Sequence, residues 1–418
     1  MNPSSFVAFV AGFSHAVVFP TFFFFSPPSA YATRVQDELA APTLISLTTV
    51  GPQDRPAPLF SAVSAFAADY VWPLDADRAM TSSFCEYRSG HFHAGLDLKT
   101  WRQIGFPVRA IADGEIWRLR TSPWGYGKAI YLKLPDGKIV IYAHLSKFAP
   151  GIASIVKQAQ HEQDRYTIDL SPESGTLLMK QGEIIAYSGQ SGAGPPHLHF
   201  EIRDADNRPY NPLFEKSFSM PDTIPPTITR MAFIPIGTGS TADGAGDPVV
   251  YDLSPDSSGR FTTSRRPLLW GSIAPVVAIY DKANAAENPL DTYAVRSFVD
   301  GRQVFSVRYD RFSYDETDLI DLDRNFLLNV LGYGVFHNLF IAQGNRLPFY
   351  NGLTTGDGLL RCDAGKMPDG SDTSILSAGP HELRVEAADF YGNTSTATIT
   401  FLVGTPSIGD TVRALSDT

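Results

Sequence analysis

Two histidines stand one residue apart in the sequence HLHFEIR, directly after a loop rich in Gly, Ser and Pro. Side chains alternate between the two faces of a β-strand, so His197 and His199 share one face with Glu201 and Arg203. The apolar residues between them point the other way and predict a buried core. Two imidazoles on the polar face of such a strand indicate half of a metal site, and the alternative is a solvated edge strand.

A second cluster lies in HFHAGLDLKT, where His93 and Asp97 are four residues apart. In an extended segment this even spacing places both side chains on one face. With one histidine of HLHFEIR they supply two imidazole nitrogens and a carboxylate oxygen. Three protein ligands of this kind suit tetrahedral zinc and leave one position for water, which distinguishes a catalytic zinc site from a structural one. His91 has the same parity, and we expect it at the rim of the site.

A third histidine of interest, His144, ends the strand-like sequence IVIYAHLSKF and shares a face with Val140 and Tyr142. A single histidine in a strand is usually an ordinary surface or core residue. His144 is therefore a candidate functional residue only because the other two histidine clusters are present.

The motifs HAGLD, YAHLS, SGQSG and PHLHFEIRD, in this order, resemble the lysostaphin/LytM-type zinc endopeptidases that cleave peptidoglycan peptides. The resemblance covers Tyr70 to Leu213. It implies that His93, Asp97 and His199 hold one zinc ion.

The same resemblance implies that His144 and His197 are the catalytic pair, and that water activated by the metal hydrolyses peptide cross-links or stems of peptidoglycan. The alternative is a non-catalytic LytM-like domain that regulates cell-wall hydrolases or binds peptidoglycan. All five motif positions are present, which favours an enzyme. The chain reads Ala193-Gly194-Pro195-Pro196 where the family often has Ser-Thr-Gly-Pro, and the segment after His144 carries an insertion expected to wall the groove.

The elements around these motifs predict a mostly β protein. Short β-rich runs separated by turn residues, including a hairpin at KAIYLKLPDGKIVIYAHL, indicate a LytM-like antiparallel β-sheet domain with an open groove over residues 69–215. One helix is expected near Ile152 to Glu162. After Pro225-Pro226 the sequence consists mainly of strand-like runs separated by turn residues. Residues 220–405 therefore predict an immunoglobulin-like β-sandwich. A short helix is expected between Asp318 and Leu331.

The two ends of the chain lack the strand pattern of these domains. An apolar run followed by Ala30-Tyr31-Ala32 predicts a signal peptide over residues 1–32. A membrane anchor is the alternative, because about 20 apolar residues can span a bilayer. Residues 33–68 indicate a linker or N-terminal extension, and residues 406–418 a polar tail. We expect an exported protein of the periplasm or cell envelope, without stable membrane insertion once the signal is cleaved.

Composition restricts the partners of the protein. The 418 residues carry a formal net charge of -10, which argues against nucleic-acid binding. The family resemblance implies that peptidoglycan peptides are the partner. The two cysteines, Cys85 and Cys362, lie far apart and are expected to be free thiols. Two loops rich in Asp and Asn, in DKANAAENPLD and AADFYGNTST, are expected to be plain turns rather than calcium sites.

Overall fold

The computed structural model describes residues 69–350, 352, 356–362 and 375–404. The expected signal peptide, the linker over residues 33–68 and the tail over residues 406–418 lie outside these residues. The secondary structure is mostly β with antiparallel pairing, which confirms the predicted class. No helix in the described part of the chain has the length and apolarity needed to cross a membrane.

The motif-bearing region, up to Tyr210, is built from short strands. In chain order they are β1 (Met80–Ser82), β2 (Tyr87–Arg88), β3 (His91–Phe92), β4 (Leu96–Lys99), β5 (Pro107–Arg109), β6 (Gly114–Thr121), β7 (Ala129–Lys133), β8 (Ile139–Ala143), β9 (Lys147–Phe148), β10 (Ile168–Leu170), β11 (Leu178–Met179), β12 (Ile184–Tyr187), β13 (His197–Arg203) and β14 (Pro209–Tyr210). The main sheet has the order β1-β4-β13-β8-β7-β6-β10, with β11 beside β6 and β14 beside β13. A smaller sheet has the order β5-β12-β9, and β2 pairs with β3.

Strand β13 lies in the middle of this sheet and carries both histidines of HLHFEIR. It pairs antiparallel with β4 on one side, where His199 stands opposite Asp97, and with β8 on the other, where His199 stands opposite Ala143. Leu198, Phe200 and Ile202 are fully buried in the core on the opposite face. The predicted alternation of polar and apolar side chains along β13, together with its pairing to β4 and β8, therefore brings the separate motifs to one face of the sheet.

The predicted hairpin and helix are both present. Strands β7 and β8 pair antiparallel across the Pro-Asp-Gly-Lys turn. Helix α1 (Pro150–Glu162) begins with a proline in its first turn, where the missing N–H costs no helical hydrogen bond. It buries Ile152, Val156 and Ala159, the i, i+4 and i+7 stripe of an amphipathic helix.

The second region, from Thr227 onward, has longer strands. In chain order they are β15 (Thr227–Ala242), β16 (Val249–Asp252), β17 (Ser254–Pro255), β18 (Phe261–Thr262), β19 (Leu268–Ala283), β20 (Ala286–Leu290), β21 (Ala294–Val299), β22 (Arg302–Arg308), β23 (His337–Asn338), β24 (Leu360–Cys362), β25 (Gly379–Ala388) and β26 (Thr394–Val403). Their main order is β16-β15-β19-β26-β25-β21-β22. Pairing is antiparallel except where β26 meets β18 and β19. The immunoglobulin-like topology and the boundaries of both domains stay predictions.

The helix expected between Asp318 and Leu331 takes the form of three short pieces. A 3₁₀ turn at Tyr314–Leu319 is followed by α2 (Ile320–Asp323) and α3 (Phe326–Val330). The two regions of the chain meet here, because Phe92 packs against Phe312 and Phe349 with ring centroids 5.3 Å away in each case. The expectation of free thiols is confirmed, since Cys85 and Cys362 are both buried and unpaired.

Candidate metal centre and active-site groove

Three side chains from β4, β13 and the segment between β3 and β4 converge at one point. His93 Nε2 lies 3.0 Å from Asp97 Oδ1 and 3.0 Å from His199 Nδ1. The third side of this triangle, from His199 Nδ1 to Asp97 Oδ1, measures 2.9 Å. Two nitrogens and one carboxylate oxygen at such separations are a donor set that suits a tetrahedral zinc ion. The residues predicted as metal ligands are therefore brought together, and all three are buried.

The outer nitrogens of the two imidazoles are also fixed. His93 Nδ1 lies 2.7 Å from the carbonyl oxygen of Ser83, and His199 Nε2 lies 2.8 Å from Oε1 of Glu201. Both acceptors carry no hydrogen, so each of these ring nitrogens donates the bond, and the opposite nitrogen is the one that faces the centre of the triangle. Carbonyls and carboxylates that orient imidazoles in this way are typical of metal ligands.

Glu201 is itself held by a network that the sequence analysis missed. Its carboxylate is fully buried and accepts hydrogen bonds from the hydroxyls of Tyr126 and Tyr314 as well as from His199. Arg203 Nε donates to Glu201 Oε2 at 2.8 Å. The strand alternation placed Glu201 and Arg203 on the face of the histidines, but no signal in the sequence pointed to either tyrosine.

The charges around the triangle favour a cation at its centre. Burial opposes ionisation of Asp97, but the charge of His93 and the hydrogen bonds from the surrounding imidazoles outweigh it and lower its pKa well below the usual range. Burial disfavours the charged form of His199, yet its hydrogen bonds to Asp97 and Glu201 raise its pKa to about 9. The surroundings that favour a proton on this imidazole also favour a metal ion.

The two histidines predicted as the catalytic pair stand next to the triangle. The rings of His144 and His197 have centroids 4.7 Å apart, and His197 Nε2 lies 3.4 Å from Asp97 Oδ1. The Nδ1 of His144 donates to the carbonyl oxygen of Ser191 at 2.9 Å, and the Nδ1 of His197 donates to that of Pro195 at 2.7 Å. In both rings Nε2 is therefore the nitrogen whose lone pair is available to a ligand.

The loop SGQSG holds His144 in an unusual backbone conformation. His144 has a φ of 58°, a left-handed value that is uncommon for residues other than glycine and often found at functional sites. A Cβ on Gly189 would lie 2.8 Å from the carbonyl oxygen of His144, too close for any other residue. The glycine of this motif thus permits the loop to approach the histidine.

A solvent-accessible cavity of about 850 Å³ opens over these residues. It continues into a groove of about 1030 Å³, because Thr81, Pro195 and His197 line both. The far wall of the groove is the hairpin Lys282–Pro289, which joins β19 to β20 in the second region. His91 is exposed, lines the cavity and is not one of the three side chains of the ligand triangle, which agrees with its expected place at the rim.

The insertion after His144 was expected to wall the groove, and this expectation is wrong. Helix α1 packs against β9 and β10, and none of its residues lines the cavity or the groove. Its apolar stripe is used to cover the sheet. The second region supplies the wall instead, through the hairpin and through Tyr314 and Thr317.

The fold and the site define a domain of antiparallel β-structure with a metal-binding groove. No family model matches the chain. The chain is similar to the DD-carboxypeptidase/endopeptidase Mpg of Neisseria meningitidis serogroup B, with 33% identity over 122 residues, 29% of this chain and 22% of that protein. It is also similar to the cell division protein DipM of Caulobacter vibrioides, with 28% identity over 181 residues, 43% of this chain and 23% of that protein.

A third relative is lysostaphin of Staphylococcus simulans, with 32% identity over 115 residues, 27% of this chain and 18% of that protein. Among solved structures, a zinc containing peptidase from Vibrio cholerae aligns with 24% identity and a TM-score of 0.27, over 37% of this chain and 41% of that one. The chain spans about a fifth of the length of these curated relatives. Over the stretch that these relatives cover, the chain resembles the lysostaphin/LytM-type metallopeptidases.

Proposed function

We propose that this protein is a zinc-dependent endopeptidase that hydrolyses peptide cross-links or stems of bacterial peptidoglycan. The observation that carries the proposal is the convergence of His93 Nε2, Asp97 Oδ1 and His199 Nδ1 to about 3 Å from one another beside two further imidazoles. Degenerate relatives without enzymatic activity would be free to lose some of these groups, whereas this chain retains all of them.

The shape of the site supports an endopeptidase. The cavity above the ligands continues into the groove beside the hairpin Lys282–Pro289, so a peptide has room to extend on either side of the bond that is cut. The relatives named DD-carboxypeptidase/endopeptidase and lysostaphin support a cell-wall peptide as the substrate.

When bound, a zinc ion would act as a Lewis acid that polarises a carbonyl group and lowers the pKa of water. His93, Asp97 and His199 would hold it. The chain's own proton transfer falls to His144 and His197, whose Nε2 lone pairs are available because each Nδ1 donates to a carbonyl. Burial, with the nearby charges of His199 and His197, lowers the pKa of His144 to about 3, which keeps its ring neutral at physiological pH.

In the proposed reaction a water oxygen attacks the carbonyl carbon of the peptide bond. One imidazole accepts a proton from this water and returns it to the amine nitrogen as the C–N bond breaks. The other stabilises the negative charge on the carbonyl oxygen when its Nε2 is protonated, because its Nδ1 hydrogen is already donated to a backbone carbonyl. The products are a free carboxylate and a free amine.

We place the protein outside the cytoplasm, in the periplasm or cell envelope, because the sequence predicts an export signal and the substrate lies there. Peptidoglycan peptides are the proposed partner. The predicted export signal, residues 1–32, falls outside the described part of the chain.

The test is digestion of purified peptidoglycan by the wild type, by His199→Ala and by His91→Ala, each with and without a chelator. We expect soluble fragments from the wild type and from His91→Ala, and none after chelation or in His199→Ala. Release of fragments that a chelator does not affect would contradict the metal mechanism. A folded protein that binds no zinc and releases no fragments would support the binding or regulatory alternative.

A further inference from the structure

Three carboxylates far from the histidines meet where the two regions of the chain join. Oxygen atoms of Asp222, Asp281 and Asp389 all lie within 4.8 Å of one another. Asp222 lies in the connection before β15, Asp281 near the end of β19, and Asp389 in the turn between β25 and β26. The last two belong to the loops that the sequence analysis interpreted as plain turns.

The cluster is buried and has no cationic partner. Asp281 is 4% exposed and Asp389 is 3% exposed. None of the three carboxylates forms a salt bridge with a Lys, Arg or His in the described part of the chain. Asp389 accepts hydrogen bonds from Asn393, and Asp222 accepts one from the backbone N–H of Ile224.

Asp281 is the least satisfied member of the cluster. Its Oδ1 is buried and has no hydrogen-bond partner among the described residues. A buried carboxylate oxygen that lacks both a hydrogen bond and a counter-ion is strongly disfavoured, and either a proton or a bound cation has to neutralise it. The neighbouring carboxylates cannot solvate this oxygen, because they offer only acceptors when ionised.

The cluster borders a small cavity. Its volume is about 20 Å³, and its lining includes the three carboxylates together with Asn211 and Thr292. This is enough space for a single water-sized particle and for nothing larger.

We propose that Asp222, Asp281 and Asp389 form a binding site for one calcium ion. The polar groups that meet here present oxygen atoms, and calcium is a hard cation that takes oxygen ligands, whereas zinc prefers nitrogen and sulfur. Three negative charges around a space for one ion offset the charge of a divalent cation. They therefore favour a cation over a water molecule in this space. Asn211 and Thr292 in the lining carry further oxygen atoms that could complete the ligand set.

The position of this site gives it a structural role near the groove. Asp281 directly precedes Lys282, the first residue of the hairpin that forms the far wall of the groove. Asn211 directly follows β14 of the motif-bearing region, whereas Asp281 and Asp389 belong to the second region. A calcium ion here would fix the base of the hairpin and the junction of the two regions, independently of the histidine site.

The experiment measures calcium binding to the full-length purified protein after removal of metals and reloading with one equivalent of zinc. Calorimetric titration with CaCl₂, with MgCl₂ as the comparison, is expected to show one calcium site per chain. A calcium concentration about 100 times Kd is expected to raise the melting temperature by about 3 to 4 °C. Asp281→Asn and Asp389→Asn are expected to weaken calcium binding about tenfold or more.

Asp252→Asn is the matched control, because Asp252 is an exposed carboxylate of β16 in the same sheet, and it should bind calcium as the wild type does. Without calcium, Asp281→Asn should melt at the wild-type temperature or above, since the amide relieves charge repulsion. A wild type that binds no calcium, or an Asp281→Asn variant that binds it equally well, would overturn the proposal. So would an equal loss of melting temperature in Asp281→Asn with and without calcium. His199→Ala should keep the calcium response, which separates this site from the proposed peptidase centre.

Discussion

The hydroxyl of Tyr314 donates a hydrogen bond of 2.8 Å to Oε2 of Glu201, a residue 113 positions earlier in the chain. Oε1 of the same carboxylate accepts a hydrogen bond from His199. Tyr314, a side chain of the second region, therefore contacts the proposed metal ligand His199 through one intervening residue, Glu201. Through this connection the second region helps to orient a proposed metal ligand, in addition to lining the cavity.

The carboxylate of Glu201 is expected to be needed for tight metal binding. Glu201→Gln keeps the size of the side chain but removes the negative charge that faces His199 and leaves Arg203 without its carboxylate partner. Loss of a group that orients a ligand imidazole typically weakens metal binding about 10- to 100-fold. We expect a loss of this size in zinc affinity, measured by competition with a chromophoric chelator.

Glu173→Gln is the control for this variant, because Glu173 is exposed and distant from the histidines along the chain. Its zinc affinity should match the wild type. A Glu201→Gln variant within about twofold of the wild type would show that the carboxylate does not act on the metal site.

The hydroxyl of Tyr314 is expected to have a smaller effect of the same kind. Tyr314→Phe removes the donor to Glu201 and an acceptor for Arg203 Nη2 at 2.7 Å, while the ring that packs on Phe312 remains. Glu201 keeps its bonds to Arg203, Tyr126 and His199, so we expect a loss in zinc affinity of less than about tenfold. Hydrolysis measured at saturating zinc should be close to that of the wild type, whereas hydrolysis at limiting zinc should fall. Equal losses at both zinc concentrations would contradict a role in metal binding.

His144 is expected to be required for turnover but not for metal binding. His144→Ala removes an imidazole beside the ligand triangle without removing a ligand. Loss of a general acid or base typically lowers kcat by about 10²- to 10⁴-fold. We expect a loss in this range in fragment release from peptidoglycan, with one zinc per chain retained by mass spectrometry. His91→Ala, which changes an exposed histidine at the cavity rim, should stay within about threefold of the wild type. Loss of zinc from His144→Ala would show instead that this imidazole is a ligand.

Much of the fold around the site could be predicted from local patterns. Period-two alternation in HLHFEIR placed the two histidines on the polar face of a strand, and β13 has that face. The apolar spacing after Pro150 predicted helix α1, and the Pro-Asp-Gly-Lys turn predicted the β7–β8 hairpin. These features depend on neighbours in sequence, which is why a single sequence reveals them. The catalytic and metal roles of the five motif residues stay predictions.

The contributions of the second region could not be predicted in this way. Tyr314, the hairpin Lys282–Pro289 and the three carboxylates reach their positions through packing between segments far apart in the chain. No spacing rule links Asp222 to Asp281 or Asp389, and each alone is typical of a turn. The expectation that the insertion after His144 walls the groove failed for the same reason, since the apolar face of α1 found a different surface to cover.

The positive charges along the groove are expected to select for acidic peptides. Lys99, Arg102 and Lys282 line the groove and form no salt bridge with the described residues. Lys282→Glu reverses one of these charges at an exposed position of the hairpin. For a peptide substrate with free carboxylates we expect KM to rise about two- to fivefold at low salt, and the effect to fade at high salt. Lys157→Glu, an exposed position on α1 away from the groove, is the control and should leave KM unchanged. An equal rise in both variants would show a general charge effect and not a property of the groove.

The buried ion pair between Asp291 and Arg324 is expected to make stability depend on pH. Arg324 Nη2 lies 2.7 Å from Asp291 Oδ2, and His337 Nε2 lies 2.8 Å from Asp291 Oδ1. Burial opposes ionisation of Asp291, but the charges of Arg324 and His337 and their hydrogen bonds outweigh it and hold its pKa well below the usual range. A depressed carboxyl pKa stabilises the fold above the unfolded pKa of about 3.9, and this stability is lost as the pH falls below that value.

Asp291→Asn removes the charge and leaves Arg324 buried without this carboxylate, so we expect a loss of about 3 kcal/mol in the free energy of unfolding at pH 7. The loss should shrink as the pH falls from about 4 to about 2, because Asp291 of the unfolded chain takes up a proton there while the folded state keeps its carboxylate ionised, so the charge contributes less to stability. Urea unfolding at pH 7 and pH 3, with Asp252→Asn as an exposed control that should match the wild type at both, measures the difference. A loss that is the same size at both pH values would mean that Asp291 contributes through its shape and neutral hydrogen bonds, and not through its charge.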